Sequence, residues 1–246
     1  MDRMFTRTPV QQAITSFTSG TPGSQNQQGG GPIIAGVPDS NRRMKSYGDQ
    51  LIIFVGDNSG SMSGGKGHEA SQAFSVCQKE LAEEANKDGF RVSVIIYGSS
   101  AHVAHSAKEP LAAAVSLDGD GGCTRLAPAL SLAQAEITQY GGRPDRKLQP
   151  PVVIIFSDGQ LDDGHQAEIE ADRLKQMGAK IISIGFGSDA DEKQLIRLAT
   201  APDHYAYADV GQLKPLFAMV GKTLSQQSRL RRPPPDTLEW PLPRCT

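Results

Sequence analysis

Three oxygen-bearing side chains, Asp57, Ser59 and Ser61, follow an apolar segment at alternating positions in the sequence LIIFVGDNSGSM. An aspartate and two hydroxyls with this spacing are compatible with a turn, a phosphate-binding loop or a metal site. Asp, Asn, Ser and Gly are preferred turn residues, and Ser or Asp often caps the helix that follows. Taken alone, the stretch therefore favours a plain turn.

A phosphate-binding loop is suggested by the overlapping segment GSMSGGKG, which nearly matches the pattern G-x-x-x-x-G-K-[ST] between a strand and a helix. Lys66 would bind phosphate, and Asp158, after the apolar run VVIIFS, would direct the metal. The match fails at Gly67, because a hydroxyl is needed there as a magnesium ligand. A P-loop-like nucleotide-binding protein that uses Gly60–Lys66 is therefore the alternative function.

A metal site explains more of the chain, because two further loops supply oxygen ligands. Thr124 lies in the glycine-rich segment GDGGCTRL, and Asp158 ends the apolar segment IIFSDG. Hard divalent cations prefer oxygen ligands in near-octahedral arrangements, usually with several waters retained. Glycines in these loops allow the backbone to approach closely without side-chain clashes.

The elements that must position these loops are strands alternating with helices. Four strongly apolar strand segments are QLIIFVG, FRVSVIIYG, PVVIIFSDG and KIISIGFG, with weaker ones at AHVAHS and HYAYAD. Helical apolar spacing occurs between them, over residues 70–85, 126–137, 169–177, 195–198 and 213–224. Strands that are apolar on both faces predict a mostly parallel sheet with helices on both sides. Ligands in such sheets bind at the carboxyl ends of the strands, where the three loops lie.

This arrangement resembles the von Willebrand factor A (vWA) domain with its metal-ion-dependent adhesion site. The resemblance covers about residues 49–228 and is carried by DNSGS, GGCT and FSDG, in that order. It implies an α/β, Rossmann-like fold whose central sheet is mostly parallel, with helices on both faces. One short antiparallel edge strand is implied, and AHVAHS is the candidate for it.

The resemblance also implies the metal ligands. Ser59, Ser61 and Thr124 are the side chains nearest the ion, and Asp57 and Asp158 are the carboxylates that hold it, largely through waters or hydrogen bonds. The ion is expected to be Mg²⁺, or else Mn²⁺ or Ca²⁺. Its open coordination position would take a Glu or Asp of a partner, so the implied function is metal-dependent protein–protein interaction.

Two positions depart from the family pattern. Gly56 stands where an apolar strand residue is usual, and we expect it to loosen the end of the strand. Cys123 precedes the ligand threonine and is expected to be harmless. Neither departure removes a ligand.

Catalysis is not expected. An aspartate-nucleophile phosphotransferase would need a second carboxylate where Ser59 stands, and the sequence contains neither G-x-S-x-G nor H-E-x-x-H. His102 and His105 are interpreted as ordinary residues of an edge strand. Asp162 and Asp163 are interpreted as a solvated loop and a helix cap.

Outside the predicted domain, residues 1–48 are expected to be a flexible N-terminal segment and linker, with a short docking helix over 4–17 as a second interpretation. Residues 229–246 form a proline-rich tail. Its Trp240 is expected either to pack on its own domain or to dock in a groove of a partner.

Composition limits the classes of partner and the cellular compartment that we expect. Lys and Arg total 25 against 27 Asp and Glu, which gives no electrostatic reason to expect nucleic acid. The absence of a long apolar run or a signal-like start, together with three scattered cysteines, predicts a cytoplasmic protein without membrane contact. The nearest subfamily by size is the compact bacterial tellurite-resistance type, whose context implies kinase or phosphatase partners in stress-response or conflict systems. Partnership with an AAA+ ATPase is the other option.

Overall fold

The computed structural model describes residues 49–142 and 148–229, and in this part of the chain six strands form one sheet. In chain order they are β1 (Gln50–Asp57), β2 (Phe90–Tyr97), β3 (Ala101–Lys108), β4 (Val152–Ser157), β5 (Lys180–Phe186) and β6 (Tyr205–Ala208). They lie side by side in the order β3–β2–β1–β4–β5–β6, and every neighbouring pair is parallel except β2 and β3. The predicted sheet with an antiparallel edge strand at AHVAHS is confirmed, and β3 has eight residues, as many as β1.

Helices cover both faces of the sheet, as predicted. They are α1 (Gly65–Leu81), α2 (Ala127–Gly141), α3 (Gly164–Gln176), α4 (Glu192–Leu198) and α5 (Leu213–Arg229). Alternate residues of β1 enter opposite cores: Phe54 packs with α1 and α5, whereas Val55 packs with α2, α3 and α4. Among the described helices, none combines the length and the apolar character needed to cross a membrane. Burial on both faces makes β1 the centre of the fold.

The predicted helices are present, but the bounds of α1 differ from the apolar pattern. α1 begins at Gly65, five residues before the predicted start at Ala70. The pattern did not include this first turn, because its glycines show no apolar periodicity. It ends at Leu81 rather than near Ala85, since the chain turns there into a 3₁₀ helix, Glu84–Asn86, whose Asn86 side chain donates to the Glu80 carbonyl. The expectations for residues 1–48 and for the tail beyond Arg229 lie outside the described residues.

Gly56 does not loosen the end of β1, contrary to the expectation from the sequence. The strand continues to Asp57, and Gly56 stays in register with Ile96 of β2 and Phe156 of β4. A Cβ at Gly56 would lie 2.8 Å from Phe54 Cε1 and 3.3 Å from Leu117 Cδ2. The glycine therefore makes room for two buried side chains beside the end of the strand.

Gly56→Ala should lower the free energy of unfolding by about 1–3 kcal/mol, because overpacking forces buried neighbours to move. The Phe54 ring cannot yield easily, since it stacks on Phe74 with ring centroids 4.0 Å apart. Urea denaturation measures the change. Gly141→Ala is the matched control, because a Cβ there meets nothing within 4 Å. Equal stabilities of the two variants would contradict the packing explanation.

A buried carboxylate in α3 also stabilises the fold. Glu170 accepts hydrogen bonds from Gln134 at 2.7 Å, Arg173 at 2.8 Å and Gln166 at 3.0 Å. Burial alone would raise the pKa of Glu170, but the bonds from Gln134, Arg173 and Gln166 together hold it below its ordinary value. The ionised form is therefore favoured in the folded state.

Glu170→Gln should make the stability less sensitive to acid below about pH 4.3, the ordinary pKa of glutamate. A lowered folded-state pKa contributes stability above the unfolded pKa, and that contribution is lost as the pH falls through the folded value. Urea denaturation at a series of pH values measures it. Glu84→Gln is the control, since its exposed carboxylate lies 3.9 Å from Lys87 and such a surface pair contributes little. Wild-type acid sensitivity in Glu170→Gln would refute the assignment.

Candidate metal site

The candidate site lies at the carboxyl ends of β1 and β4, which are neighbours in the middle of the sheet. β1 pairs with β2 on one side and with β4 on the other, so the strand order reverses at this point. Ligand sites in open α/β sheets occur at such a reversal. Asp57 ends β1, and Asp158 follows the last residue of β4. The sheet therefore brings the two predicted carboxylates to one edge.

Asp57 is fully buried, and hydrogen bonds fix both of its carboxylate oxygens. Oδ1 accepts the Ser59 N–H at 2.8 Å. Oδ2 accepts the Ser157 hydroxyl at 2.8 Å and the Tyr97 hydroxyl at 3.3 Å. Asp57 thus sets the turn that leads to the two serines, and it is itself oriented by β2 and β4.

The pKa of Asp57 reflects its burial. Burial raises this pKa above its ordinary value, against the hydrogen bonds from Ser59 and Ser157, and the nearby Asp158 charge raises it further. Burial also raises the pKa of Tyr97 well above its ordinary value, so its phenol stays protonated and can donate. A cation beside these carboxylates would favour their ionised forms.

The two serine hydroxyls and Asp158 form a continuous set of oxygen atoms. Ser59 Oγ lies 3.0 Å from Ser61 Oγ, and the Ser61 hydroxyl donates to Asp158 Oδ1 at 2.6 Å. Because the Ser61 hydroxyl donates its hydrogen to Asp158, the hydrogen between the two serines comes from Ser59, and the Ser61 oxygen keeps one lone pair for a cation. Adjacent ligands of an octahedral Mg²⁺ at 2.0–2.1 Å lie about 2.9 Å apart, close to the spacing of the two hydroxyls.

Thr124 is held at the same edge of the sheet by its main chain. Gly60 N–H donates to the Gly122 carbonyl at 2.9 Å, which ties the first loop to the Thr124 loop. Asp162 clamps the residue itself: its Oδ2 accepts the Thr124 N–H at 2.8 Å, and its own N–H donates to the Thr124 carbonyl at 2.9 Å. Thr124 is buried. All three predicted loops are therefore joined at one edge of the sheet.

Asp163 is a helix cap, as interpreted from the sequence, and Asp162 has a structural partner that the sequence did not indicate. Asp163 accepts the Leu126 and Ala127 N–H groups, both at 2.9 Å, and so caps α2. Its side chain makes no capping bond to α3, the helix that it precedes. Asp162 is an exposed residue of the turn before α3, as interpreted from the sequence, and in addition its carboxylate and N–H hold the Thr124 main chain. Only the spacing of these acidic residues after Asp158 hinted at a role.

Asn58, the residue between Asp57 and Ser59, was also not predicted to matter. Its Oδ1 accepts the N–H groups of Asp118 and Gly119, at 2.7 and 2.9 Å, and its Nδ2 donates to Asp120 Oδ1 at 2.7 Å. Asparagine at this position therefore fixes the start of the glycine-rich loop that carries Thr124.

Lys66 points to Asp158. Its Nζ lies 2.7 Å from Oδ2 of Asp158, and the Asp158 carboxylate is fully buried. The sequence suggested only a phosphate-binding role for this lysine. Its pairing with Asp158 gives the nucleotide alternative no support, since phosphates would have to displace the carboxylate.

The residues present fit a hard divalent cation. Within 49–142 and 148–229, no group of three or more His, Cys, Asp or Glu side chains is placed to hold a metal, so a cation here would need the hydroxyl ligands as well. The candidate donors are the hydroxyls of Ser59, Ser61 and Thr124 with the carboxylates of Asp57 and Asp158, which are all oxygen ligands. The Lys66 ammonium, which pairs with Asp158, shows that a positive charge can lie next to this carboxylate.

A family model described as the von Willebrand factor type A domain matches residues 52–218. The chain belongs to the von Willebrand factor type A domain family. This match includes every predicted ligand of the vWA site, from Asp57 to Asp158.

Relatives of this vWA domain differ widely in overall length. The mouse collagen alpha-6(VI) chain is 27% identical over 111 residues, which are 45% of this chain and 5% of the collagen chain. Proximal thread matrix protein 1 from the mussel byssus, with a zinc-occupied MIDAS motif, aligns with a TM-score of 0.56 and 21% identity over 73% of this chain and 46% of that one. Manganese-loaded Plasmodium vivax TRAP protein aligns with a TM-score of 0.53 and 18% identity over 70% and 74%. The structural likenesses show the vWA fold.

Ser59→Ala combined with Ser61→Ala should abolish the increase in Tm that Mg²⁺ or Mn²⁺ causes, because two candidate ligands are removed. Thermal melts with metal and with chelator measure it. The matched control is Ser75→Ala with Thr138→Ala, whose hydroxyls donate to carbonyls one turn earlier in α1 and α2. Undiminished stabilisation by metal in the Ser59/Ser61 variant would show that the site is assigned wrongly.

Proposed function

We propose that this vWA domain is a metal-dependent protein–protein interaction module. Ser59, Ser61 and Thr124, with Asp57 and Asp158, hold a divalent cation, expected to be Mg²⁺, and the cation binds a Glu or Asp carboxylate of a protein partner. The observation that carries the proposal is the continuous set of oxygens from Ser59 through Ser61 to the buried Asp158. The set lies at the carboxyl edge of the sheet, in a family for which metal-bearing relatives are known.

The electrostatics favour an acidic ligand from outside. Serine and threonine ligands are neutral, so only Asp57 and Asp158 can compensate the charge of a cation, and the Lys66 ammonium offsets one of these carboxylates. The carboxylate of Asp57 is already engaged by Ser59, Ser157 and Tyr97. Ser61 and Gly60 are exposed, so a partner has access to this edge. A further carboxylate from a partner would then complete the charge balance.

Burial supports binding rather than catalysis. A phosphoryl-transfer enzyme of the aspartate type needs an accessible nucleophile. Asp57 is fully buried, and both of its oxygens accept hydrogen bonds. Ser59 occupies the position where such an enzyme would carry its second carboxylate. The proposal is therefore that the domain performs no reaction on its partner.

The class of partner is proposed from the sequence resemblance. A kinase or phosphatase of a bacterial stress-response or conflict system is the first candidate, and an AAA+ ATPase is the second. The proposed compartment is the cytoplasm. The near balance of charged residues supports a protein partner rather than nucleic acid.

A pull-down with the full chain tests the function. The wild type should capture its partner from a lysate in Mg²⁺ and release it on chelation, whereas the Ser59→Ala/Ser61→Ala variant should capture nothing specific. The Ser75→Ala/Thr138→Ala variant is the control and should behave as the wild type. Substituting single Asp and Glu residues of the captured protein should then identify one that is required.

Two results would contradict this proposal. One is capture that is equal with metal and with chelator. The other is metal-dependent capture that survives neutralisation of every acidic residue at the mapped interface. Identification of the captured protein distinguishes the kinase, phosphatase and AAA+ candidates.

A further inference from the structure

Lys66 is the cationic side chain that meets the candidate site. It lies in the first turn of α1 and reaches to the end of β4, where its Nζ is 2.7 Å from Asp158 Oδ2. Its side chain is 28% exposed, whereas Asp158 is 0% exposed. A Cβ at Gly187 would lie 3.9 Å from this Nζ, so the ammonium lies at the carboxyl edge near the end of β5 as well.

The position of Lys66 is unfavourable apart from this contact. A lysine in the first turn of a helix has its charge near the positive end of the helix dipole. The ion pair compensates, because a buried carboxylate without a positive partner is costly. Asp158 otherwise receives only the Ser61 hydroxyl among the hydrogen bonds described at its side chain. Lys66 therefore supplies a positive charge to the buried Asp158 carboxylate.

The same carboxylate is shared with the cation of the proposed function. Asp158 Oδ1 faces Ser61, a candidate ligand, and Oδ2 faces Lys66. A divalent cation at the serines would thus come close to an ammonium, and two positive charges at short range repel each other. Lys66 and the cation compete electrostatically for Asp158.

We propose that Lys66 is a built-in counter-ion that weakens binding of the cation alone and makes the complete site dependent on an acidic partner. This inference rests on the proposed function. Counted by formal charge, the Asp57 and Asp158 carboxylates and the Lys66 ammonium sum to one negative charge. A divalent cation turns this into one positive charge, and a partner carboxylate then neutralises it. Without Lys66, the cation alone would neutralise the site.

Calorimetric titration of the full chain with Mn²⁺ and with Mg²⁺ tests the proposal. Lys66→Met should bind Mn²⁺ about tenfold or more tightly than the wild type, since one charge within about 4–6 Å shifts an ionic equilibrium by at least about that factor. The same variant should have a lower Tm in chelator, because Asp158 loses its partner. Lys66→Arg keeps the charge and should retain an affinity near that of the wild type.

Lys222→Met is the matched control. It removes an exposed lysine from α5 next to Gly221, which packs against Cys77 and Glu80 near the far end of α1. It should change neither the Mn²⁺ affinity nor the Tm in chelator. Lys66→Gln repeats the charge removal with a polar side chain, and it replaces Lys66→Met if that variant does not fold even with metal.

The outcomes separate the two proposals. Wild-type binding of Mn²⁺ with equal or weaker binding by the folded Lys66→Met or Lys66→Gln variant would overturn this inference and leave the metal site standing. If neither the wild type nor any Lys66 variant binds Mn²⁺ or Mg²⁺, the proposed function and this inference are both wrong. If Lys66→Met or Lys66→Gln binds Mn²⁺ and the wild type does not, the result would support the inference most strongly.

Discussion

The buried carboxylate of Asp57 is the constraint on which the architecture of the site depends. β1 is apolar on both faces, so its last residue, Asp57, lies at the edge of the core with little access to water. Placing an ionisable group there is tolerable only with hydrogen-bond donors on every side. Ser59, Ser157 and Tyr97 provide them from the following turn, from β4 and from β2. The turn that delivers the serines is thus a consequence of satisfying one aspartate.

A second layer of main-chain and carboxylate contacts holds the loops together. Asn58 fixes the segment before Thr124, and Asp162 fixes Thr124 itself. Asp163 extends the same loop to the first turn of α2. Each contact spans elements that are adjacent at the sheet edge and distant in sequence, so the loops of the site are connected to one another across that edge.

The sequence predicts the sheet and the loop positions because both follow from local patterns. The run from Leu51 to Val55 is apolar at every position, which already indicates a strand covered on both faces. The Asp162 and Lys66 contacts could not be predicted in this way. Both depend on the direction in which a side chain leaves a loop or helix, and a one-dimensional pattern does not contain that direction. Gly56 was misjudged for a related reason, since its role depends on Leu117, a residue 61 positions away.

The hydrogen bond from Ser61 to Asp158 joins residues 97 positions apart, and the Thr124–Asp162 bond spans 38. In the unfolded chain such groups meet only at a large entropic cost of loop closure. A cation bound among these loops would therefore have almost no affinity for the unfolded chain, and nearly all of its binding free energy would count towards folding. The ion would act as a reversible cross-link between the two halves of the sheet, comparable in its topology to a disulfide but controlled by the free metal concentration.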